Sequence, residues 1–238
     1  QLYCQMDGRF PHHHPDPTVE ANLRDLQSTV QTKGLDLGIA FDGDADRLGV
    51  VDNTGRIIWG DMLMVLFATH ILQFHPGATF ISEVKGSMNL YREIEKRGGR
   101  PIMWKTGHSL IKAKMREEGA LLAGEMSGHM FFADRYFGYD DALYAACRLL
   151  EIVAGSAQSL SEMLSDIPPT VVTPEIRVQC DDDKKFAVVD RIKQHLQRTH
   201  TVIDIDGARV LFPNGWGLVR ASNTQDLLVL RFEASDEE

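Results

Sequence analysis

The run LDLGIAFDGDADRLGVVDNTGRIIWGD, residues 35–61, decides how the chain is read. A largely apolar stretch over 37–41 delivers the chain into Asp42-Gly43-Asp44-Ala45-Asp46-Arg47, and a second apolar stretch over 48–51 carries it away. Both stretches read as buried strands, which leaves three carboxylates at alternate positions on one tight loop. Like charges held that close repel, and burial adds to the cost, so a cation is required to compensate. Hard carboxylate oxygens with Arg47 beside them suit Mg²⁺ that shares its coordination shell with a phosphate. A calcium hand does not fit. Its loop wants glycine at the sixth position and glutamate at the twelfth, between helices, and this loop has Arg47 and Asn53 between strands.

Immediately outward, Asp52-Asn53-Thr54-Gly55 is a turn signal that predicts a hairpin, and Asp61 reads as the N-cap of an apolar helix over 62–74, stopped by Pro76-Gly77. On the other side, residues 22–30 form a short amphipathic helix ending near Gly34. The loop RFPHHHPDP at 9–17 is broken by Pro11, Pro15 and Pro17. Three adjacent histidines on extended backbone do not all face one ion, so that loop reads as a rigid connection. Residues 2–4 read as the end of a strand. The chain opens at Gln1 with neither an initiator Met nor a signal peptide, and residues 235–238 read as a helix cut short, so a piece of a longer protein is expected.

Downstream the pattern alternates. Strands are expected at 79–84, 101–104 and 121–123, and helices at 88–97, 110–118 and 141–153. That alternation predicts an α/β fold with a mixed, mostly parallel sheet, whose ligands gather at the C-terminal strand ends. Those ends carry Lys85, His108, Glu125, Ser127 and His129. Each alone is an ordinary loop residue; their coincidence predicts a converging pocket. After a short helix and the Pro168-Pro169 break, the expected joint between domains, the character changes. A strand at 175–180, a helix at 184–198 and hairpin strands at 202–205, 208–212, 217–220 and 227–232 make a smaller α+β domain.

With 238 residues the chain has room for more than one core. A formal net charge of −9 argues against a broad nucleic-acid or anionic-membrane surface but not against a local basic pocket, and no apolar run approaches the roughly 20 residues of a membrane span. Cys4, Cys147 and Cys180, odd in number and far apart, fit a reducing cytoplasm.

Two further loops carry chemistry. GEMSGH at 124–129 offers Glu125 and Ser127 to vicinal hydroxyls and His129 as a proton carrier. RASNT at 220–224 combines Arg220, Ser222, Asn223 and Thr224 into a candidate phosphate cradle. Metal loop, polyol-reading loop and phosphate cradle are the parts that phosphoryl transfer on a phosphorylated sugar needs. No nucleophile in a tight catalytic loop accompanies them.

DGDADR at 42–47, KTGHS at 105–109, GEMSGH at 124–129 and RASNT at 220–224, in that order, resemble the alpha-D-phosphohexomutase superfamily, most closely its bacterial phosphomannomutase/phosphoglucomutase branch. FPHHHPDP and GWGLVRASNT are similar to the same branch. The resemblance implies a four-domain enzyme, with residues 1–55 the end of a metal-binding domain 2, 56–168 a sugar-binding domain 3 and 169–238 a phosphate-binding domain 4. Domain 1 and its phosphoserine would lie outside this chain. It implies interconversion of hexose 1-phosphate and hexose 6-phosphate through a bound glucose or mannose 1,6-bisphosphate, with Mg²⁺ on Asp42, Asp44 and Asp46 and Arg47 beside metal and phosphoserine. Glu125 and Ser127 would bind ring hydroxyls. Lys85, His108 and His129 would line the site, with Lys85 or His129 moving a proton, and Arg220, Ser222, Asn223 and Thr224 would grip the phosphate not being transferred. The chain alone is then expected to lack turnover. Ala45 stands where many members have glycine, and Asp226 follows Gln225 where proline is expected, placing a carboxylate beside the cradle. Met126 favours the mannose/glucose branch over phosphoglucosamine mutases, which tend to carry glutamine there. A non-catalytic sugar-phosphate-binding module is the alternative of another class.

Overall fold

Leu23 and Val30 share one face of the first helix, α1 (Glu20–Lys33), and both are buried in the computed structural model of the chain, which describes residues 1–5 and 7–236. That face lies on an antiparallel sheet of order β1-β2-β3, formed by β1 (Leu37–Phe41), β2 (Leu48–Asp52) and β3 (Ile57–Ile58). A side chain at Gly38 would come within 2.8 Å of Leu26 and Val30, so glycine is what lets the helix lie this close. Of the two strands expected to be buried, β2 is buried at every residue. In β1 only Gly38 is, because β1 is the sheet edge. Residues 2–4 are not a strand: Tyr3 instead stacks on His12 at 4.0 Å. The proline-punctuated loop is irregular as expected, and the Asn22 side-chain amide pins it by donating to the carbonyls of His14 and Asp16.

The next helix, α2 (Gly60–Leu72), is apolar nearly all round and correspondingly buried, from Leu63 and Met64 to Ile71. Asp61 is not its N-cap; Trp59 takes that place. The helix starts two residues earlier than expected, so the Asp61 carboxylate falls in the first turn and accepts from the amide of Ser87 at 3.1 Å. There follow β4 (Thr79–Glu83), α3 (Met88–Lys96), capped by the Ser87 hydroxyl, β5 (Arg100–Trp104), α4 (His108–Glu118), β6 (Leu122–Gly124), β7 (Met130–Phe132), α5 (Ala142–Ala154) and the single turn α6 (Leu160–Met163). The sheet runs β5-β4-β6-β7, with β4 and β6 parallel and β6 and β7 antiparallel. α2 and α4 pack on it, while α5 touches both β2 and β7 and so ties the two sheets together. The class is α/β with mixed pairing. β7 was not expected, since three apolar residues after a glycine turn show no alternation to read.

These elements, apart from the last two residues of β5, belong to the first of two units, Gln1–Ile102 with Gly107–Ile167; the second is Met103–Thr106 with Pro168–Glu238. The second unit holds β8 (Val171–Val172), β9 (Ile176–Gln179), α7 (Asp182–Leu196), β10 (Thr201–Ile203), β11 (Ala208–Phe212), β12 (Gly215–Ala221) and β13 (Leu227–Ala234). Its sheet has the order β10-β11-β12-β13-β8, with β9 also on β13, and every pair is antiparallel. α7 packs Val188, Val189 and Ile192 against Ala208, Val219, Ala221 and Leu228. The helix expected at 235–238 falls partly on residues 237 and 238, outside the described residues.

Within the first unit the acidic loop and the loop after β6 meet through backbone. The Leu48 amide donates to the carbonyl of Gly128 at 3.0 Å, and Arg47 and His129 form an antiparallel bridge. Gly128 has φ +100°, and a Cβ there would sit 2.5 Å from the Leu48 carbonyl oxygen. Gly128→Ala therefore carries both a left-handed backbone penalty and a clash with backbone that cannot swing aside, together about 2 kcal/mol or more. At roughly 2–4 °C per kcal/mol for a chain of this size, the thermal midpoint should fall by about 4 °C or more. An unchanged midpoint in thermal denaturation would show that the two loops do not depend on this contact.

Candidate active site

The acidic loop turns between β1 and β2 with its carboxylates drawn inward. Asp42 Oδ1 accepts from the amides of Asp46 and Arg47, both at 3.0 Å, and its Oδ2 accepts from Arg47 Nε at 2.6 Å. Burial alone would raise the Asp42 carboxyl, but the Arg47 amide and guanidinium outweigh it and hold the group below the usual carboxylate range. Asp46 goes the other way. Burial first, and then the neighbouring Asp42, push it up. Ala45 reaches this geometry in the left-handed region, φ +60°, a conformation costing an alanine roughly 1 kcal/mol. The amide of Ala142, opening α5, holds it there by donating to the Ala45 carbonyl.

Carboxylate oxygens of Asp42, Asp44 and Asp46 lie within 4.8 Å of one another. The buried Oδ1 of Asp46 has no hydrogen-bond partner among the described residues. A set of hard oxygen donors with one buried oxygen left unsatisfied fits a divalent cation such as Mg²⁺.

Across from this loop stands His129. Its Nε2 is 3.2 Å from Asp46 Oδ2, and its Nδ1 donates to Glu125 Oε2 at 2.9 Å, with Ser127 Oγ 3.0 Å from the same nitrogen. Glu125 Oε1 accepts from the Gly107 amide at 2.9 Å. Burial would lower His129, but Glu125 and then Asp46 outweigh it and raise the imidazole above its ordinary value of 6.5. Burial would raise Glu125, but His129, the Gly107 amide and Lys85 hold it below its ordinary 4.5. Glu125, Ser127 and His129 thus come together with Asp46 in one chain of polar contacts.

Lys85, just past β4, lies 3.5 Å from Glu83 Oε2, and Glu83 Oε1 accepts from the Met126 amide at 2.9 Å. His108 is not on a loop but is the first residue of α4. Its side chain is 57% exposed, and its Nδ1 is 3.9 Å from Asp140 Oδ2. Three groups here escaped the sequence reading. Asp16 braces Arg47 at 3.1 Å, Asp140 lies between His108 and Lys112, and Lys112 Nζ binds Asp140 Oδ1 at 3.0 Å. Asp16 and Asp140 each stand beside a proline or a second aspartate, which reads as turn chemistry; only the three-dimensional pairing distinguishes them.

In the second unit Arg220, the penultimate residue of β12, is buried, its Nε donating to Asp206 Oδ2 at 3.0 Å. The Ser222 hydroxyl faces inward and accepts from the amides of Thr224 at 3.3 Å and Gln225 at 3.1 Å, while Asn223 and Thr224 are exposed. Lys185, also missed, is buried and donates to the Gln225 carbonyl at 3.0 Å, with Asp182 Oδ1 at 2.5 Å. Asp226 is exposed, and its carbonyl accepts from the Cys180 amide. Arg220 and the loop after it are therefore held in shape by Asp206, Lys185 and Ser222.

Models of the phosphoglucomutase/phosphomannomutase family match alpha/beta/alpha domain II at residues 1–55, alpha/beta/alpha domain III at 59–171 and the C-terminal domain at 175–238. The chain belongs to the phosphoglucomutase/phosphomannomutase family. The phosphomannomutase/phosphoglucomutase of Pseudomonas aeruginosa is 52% identical over 238 residues, which is all of this chain and 51% of that protein. The phosphoglucomutase of Neisseria gonorrhoeae is 48% identical over all of this chain and 52% of its own length. The crystal structure of a phosphoglucomutase/phosphomannomutase family protein from Burkholderia thailandensis superposes with a TM-score of 0.92 at 47% identity, covering 99% of this chain and 50% of that one. The chain spans about half the length of the curated relatives it matches. Among the described residues no helix is long and apolar enough to cross a membrane.

The His129–Glu125 pair makes stability depend on pH in a defined sense. His129 is raised, so its contribution is complete below pH 6.5 and is lost as pH climbs through the higher folded value. Glu125 is lowered, so its contribution is complete above pH 4.5 and is lost as pH drops through the lower folded value. Their joint contribution is fullest between those two pH values. In metal-free protein the His129 ring protons should titrate with a midpoint above 6.5, and Glu125→Gln should move that midpoint down. A midpoint indifferent to Glu125→Gln would sink the pairing. In the second unit, Lys185→Ala removes a buried charged donor from the Gln225 carbonyl and should cost about 1.5–3 kcal/mol in denaturant unfolding; a loss under about 0.5 kcal/mol would mean that Lys185 does not pin the loop.

Proposed function

We propose that this chain supplies the metal, sugar and phosphate sites of an Mg²⁺-dependent phosphohexomutase that interconverts mannose or glucose 1-phosphate and 6-phosphate. The reaction would pass through a bound 1,6-bisphosphate, with a phosphoserine loop contributed from outside these residues. The observation that carries this reading is the 3.2 Å approach of His129 to Asp46. It joins a loop suited to reading hydroxyls to a loop suited to holding a cation beside a phosphate.

Asp42, Asp44 and Asp46 would hold Mg²⁺, which when bound neutralises negative charge developing on a transferring phosphoryl group. The chain's own residues divide the remaining work. Arg47, braced by Asp42 and Asp16, presents a fixed cation at the mouth of the acidic loop. Glu125 and Ser127 offer an acceptor and a hydroxyl to neighbouring ring hydroxyls. His129, carrying its proton between two carboxylates, is placed to give and retake a proton at a sugar hydroxyl, with Lys85 beside it and the exposed His108 as a further contact. Arg220, Ser222, Asn223 and Thr224 are assigned the phosphate that is not transferred. We read the domain segments as 1–55, 56–168 and 169–238. The three free cysteines support placing the protein in the cytoplasm.

Coupled assays with glucose 1-phosphate, glucose 1,6-bisphosphate and Mg²⁺ test the reading. The 238-residue chain alone should give no glucose 6-phosphate. The parent polypeptide should turn over, and Asp44→Asn in it should lower kcat about 100-fold or more. Turnover by the chain alone would refute the placement of the nucleophile elsewhere. A parent with a serine loop but no turnover on mannose, glucose or glucosamine 1-phosphate would favour a sugar-phosphate-binding module.

A further inference from the structure

We propose that Asp46, His129 and Asp140 form a second metal site, one that takes a borderline transition-metal cation of the Zn²⁺ or Co²⁺ class rather than Mg²⁺. One ligand atom from each of the three lies within 4.8 Å of the others. Metal–ligand bonds of about 2.0–2.2 Å in a tetrahedral site put neighbouring donors roughly 3.3 Å apart. His129 Nε2 and Asp46 Oδ2 already stand at 3.2 Å, so only a modest movement of the Asp140 side chain closes the set.

The surrounding contacts prepare these donors. His129 Nδ1 donates to Glu125 Oε2 at 2.9 Å, so that a cation displacing the proton between Nε2 and Asp46 meets the Nε2 lone pair. A carboxylate behind a ligating imidazole is the usual support of a zinc-type site. Lys112 occupies Asp140 Oδ1 at 3.0 Å and leaves Oδ2 turned toward His108 Nδ1 at 3.9 Å. The exposed His108 ring is thus within reach as a fourth donor, its centroid 6.4 Å from that of His129. Imidazole nitrogen with two carboxylates, and a second imidazole nearby, suits Zn²⁺ or Co²⁺; Mg²⁺ prefers six oxygens in octahedral array. Because Asp46 belongs to this set and to the acidic loop, an ion here withdraws a carboxylate from Asp42 and Asp44. The two sites compete for one side chain. The donors alone carry this inference, which holds whether or not the mutase reading does.

Titration of the 238-residue chain with Co²⁺ in Mg²⁺-free buffer, followed by visible absorption, tests it. The expected result is one equivalent of Co²⁺ with the spectrum of a four- or five-coordinate ion bearing a nitrogen ligand, bleached by Zn²⁺. Asp140→Asn and His129→Gln should each weaken binding about tenfold or more. Replacement of His12, His13 and His14 together by Gln should leave it unchanged, and Asp44→Asn, which weakens the competing acidic-loop site, should not weaken it. Circular dichroism identifies variants that keep the fold. If His129→Gln does not, Asp140→Asn decides, since that residue lies on the turn before α5 and is only half-buried. Binding that follows Asp44 but not Asp140, binding lost with the histidine run, or no nitrogen-ligated spectrum would each overturn the proposal.

Discussion

The pairing of residues 47–48 with 128–129 is the constraint on which the first unit's site depends. A single backbone hydrogen bond, Leu48 to Gly128, and the bridge beside it bring two loops together that are 80 residues apart in sequence. That register places one imidazole between two carboxylates, Asp46 and Glu125. Side chains alone would not hold such an arrangement, because buried like charges repel and each long side chain loses rotamer freedom. Backbone pairing instead sets the distance as part of folding, and the charged groups inherit it. The same logic explains the small residues around the contact, where a Cβ would force the loops apart.

The second unit solves a related problem differently. Its polar loop follows a hairpin strand and is braced from several sides, by Asp206 on Arg220 and by the Cys180 amide on the Asp226 carbonyl. Lys185, from helix α7, reaches the Gln225 carbonyl, and Ser222 folds its hydroxyl back onto the amides of Thr224 and Gln225. Those two amides are consumed inside the loop. In the proposed reading an anion would meet the Arg220, Asn223 and Thr224 side chains and the Ser222 oxygen on a backbone that is already ordered by these contacts.

What could be read from sequence was what local pattern encodes. The carboxylates at alternate positions between apolar runs, the helix–strand alternation and the hairpin at 206–207 all depend on neighbours a few residues away, and the structure bears these elements out. The failures share a physical cause. β7 and β8 are too short for a period to emerge, and β8 exists only because β13 extends beside it. Asp61 has the composition of a cap, but the helix start is set by where Gly60 packs against the carbonyl of Glu125. Asp16, Asp140 and Lys185 are visible only through partners distant in the chain: Arg47, Lys112 with His108, and Gln225. Charge pairing across a fold leaves no spacing rule in the sequence. The four motifs were recognisable, but the contacts that orient them were not.

The hydrogen bond from Ala142 to Ala45 bears on what counts as a module in this family. Evolutionary profiles divide the chain between residues 55 and 59, with the acidic loop on one side and the GEMSGH loop and α5 on the other. The alanine in the acidic loop keeps its left-handed backbone with help from α5, the Leu48 amide leans on Gly128, and the Ser161 amide reaches Asn53 Oδ1. Each of these contacts crosses that line. The heritable segment and the mechanical unit are therefore different objects. Transplanting residues 1–55 onto another scaffold would carry the three aspartates but leave behind the contacts that give their loop its shape.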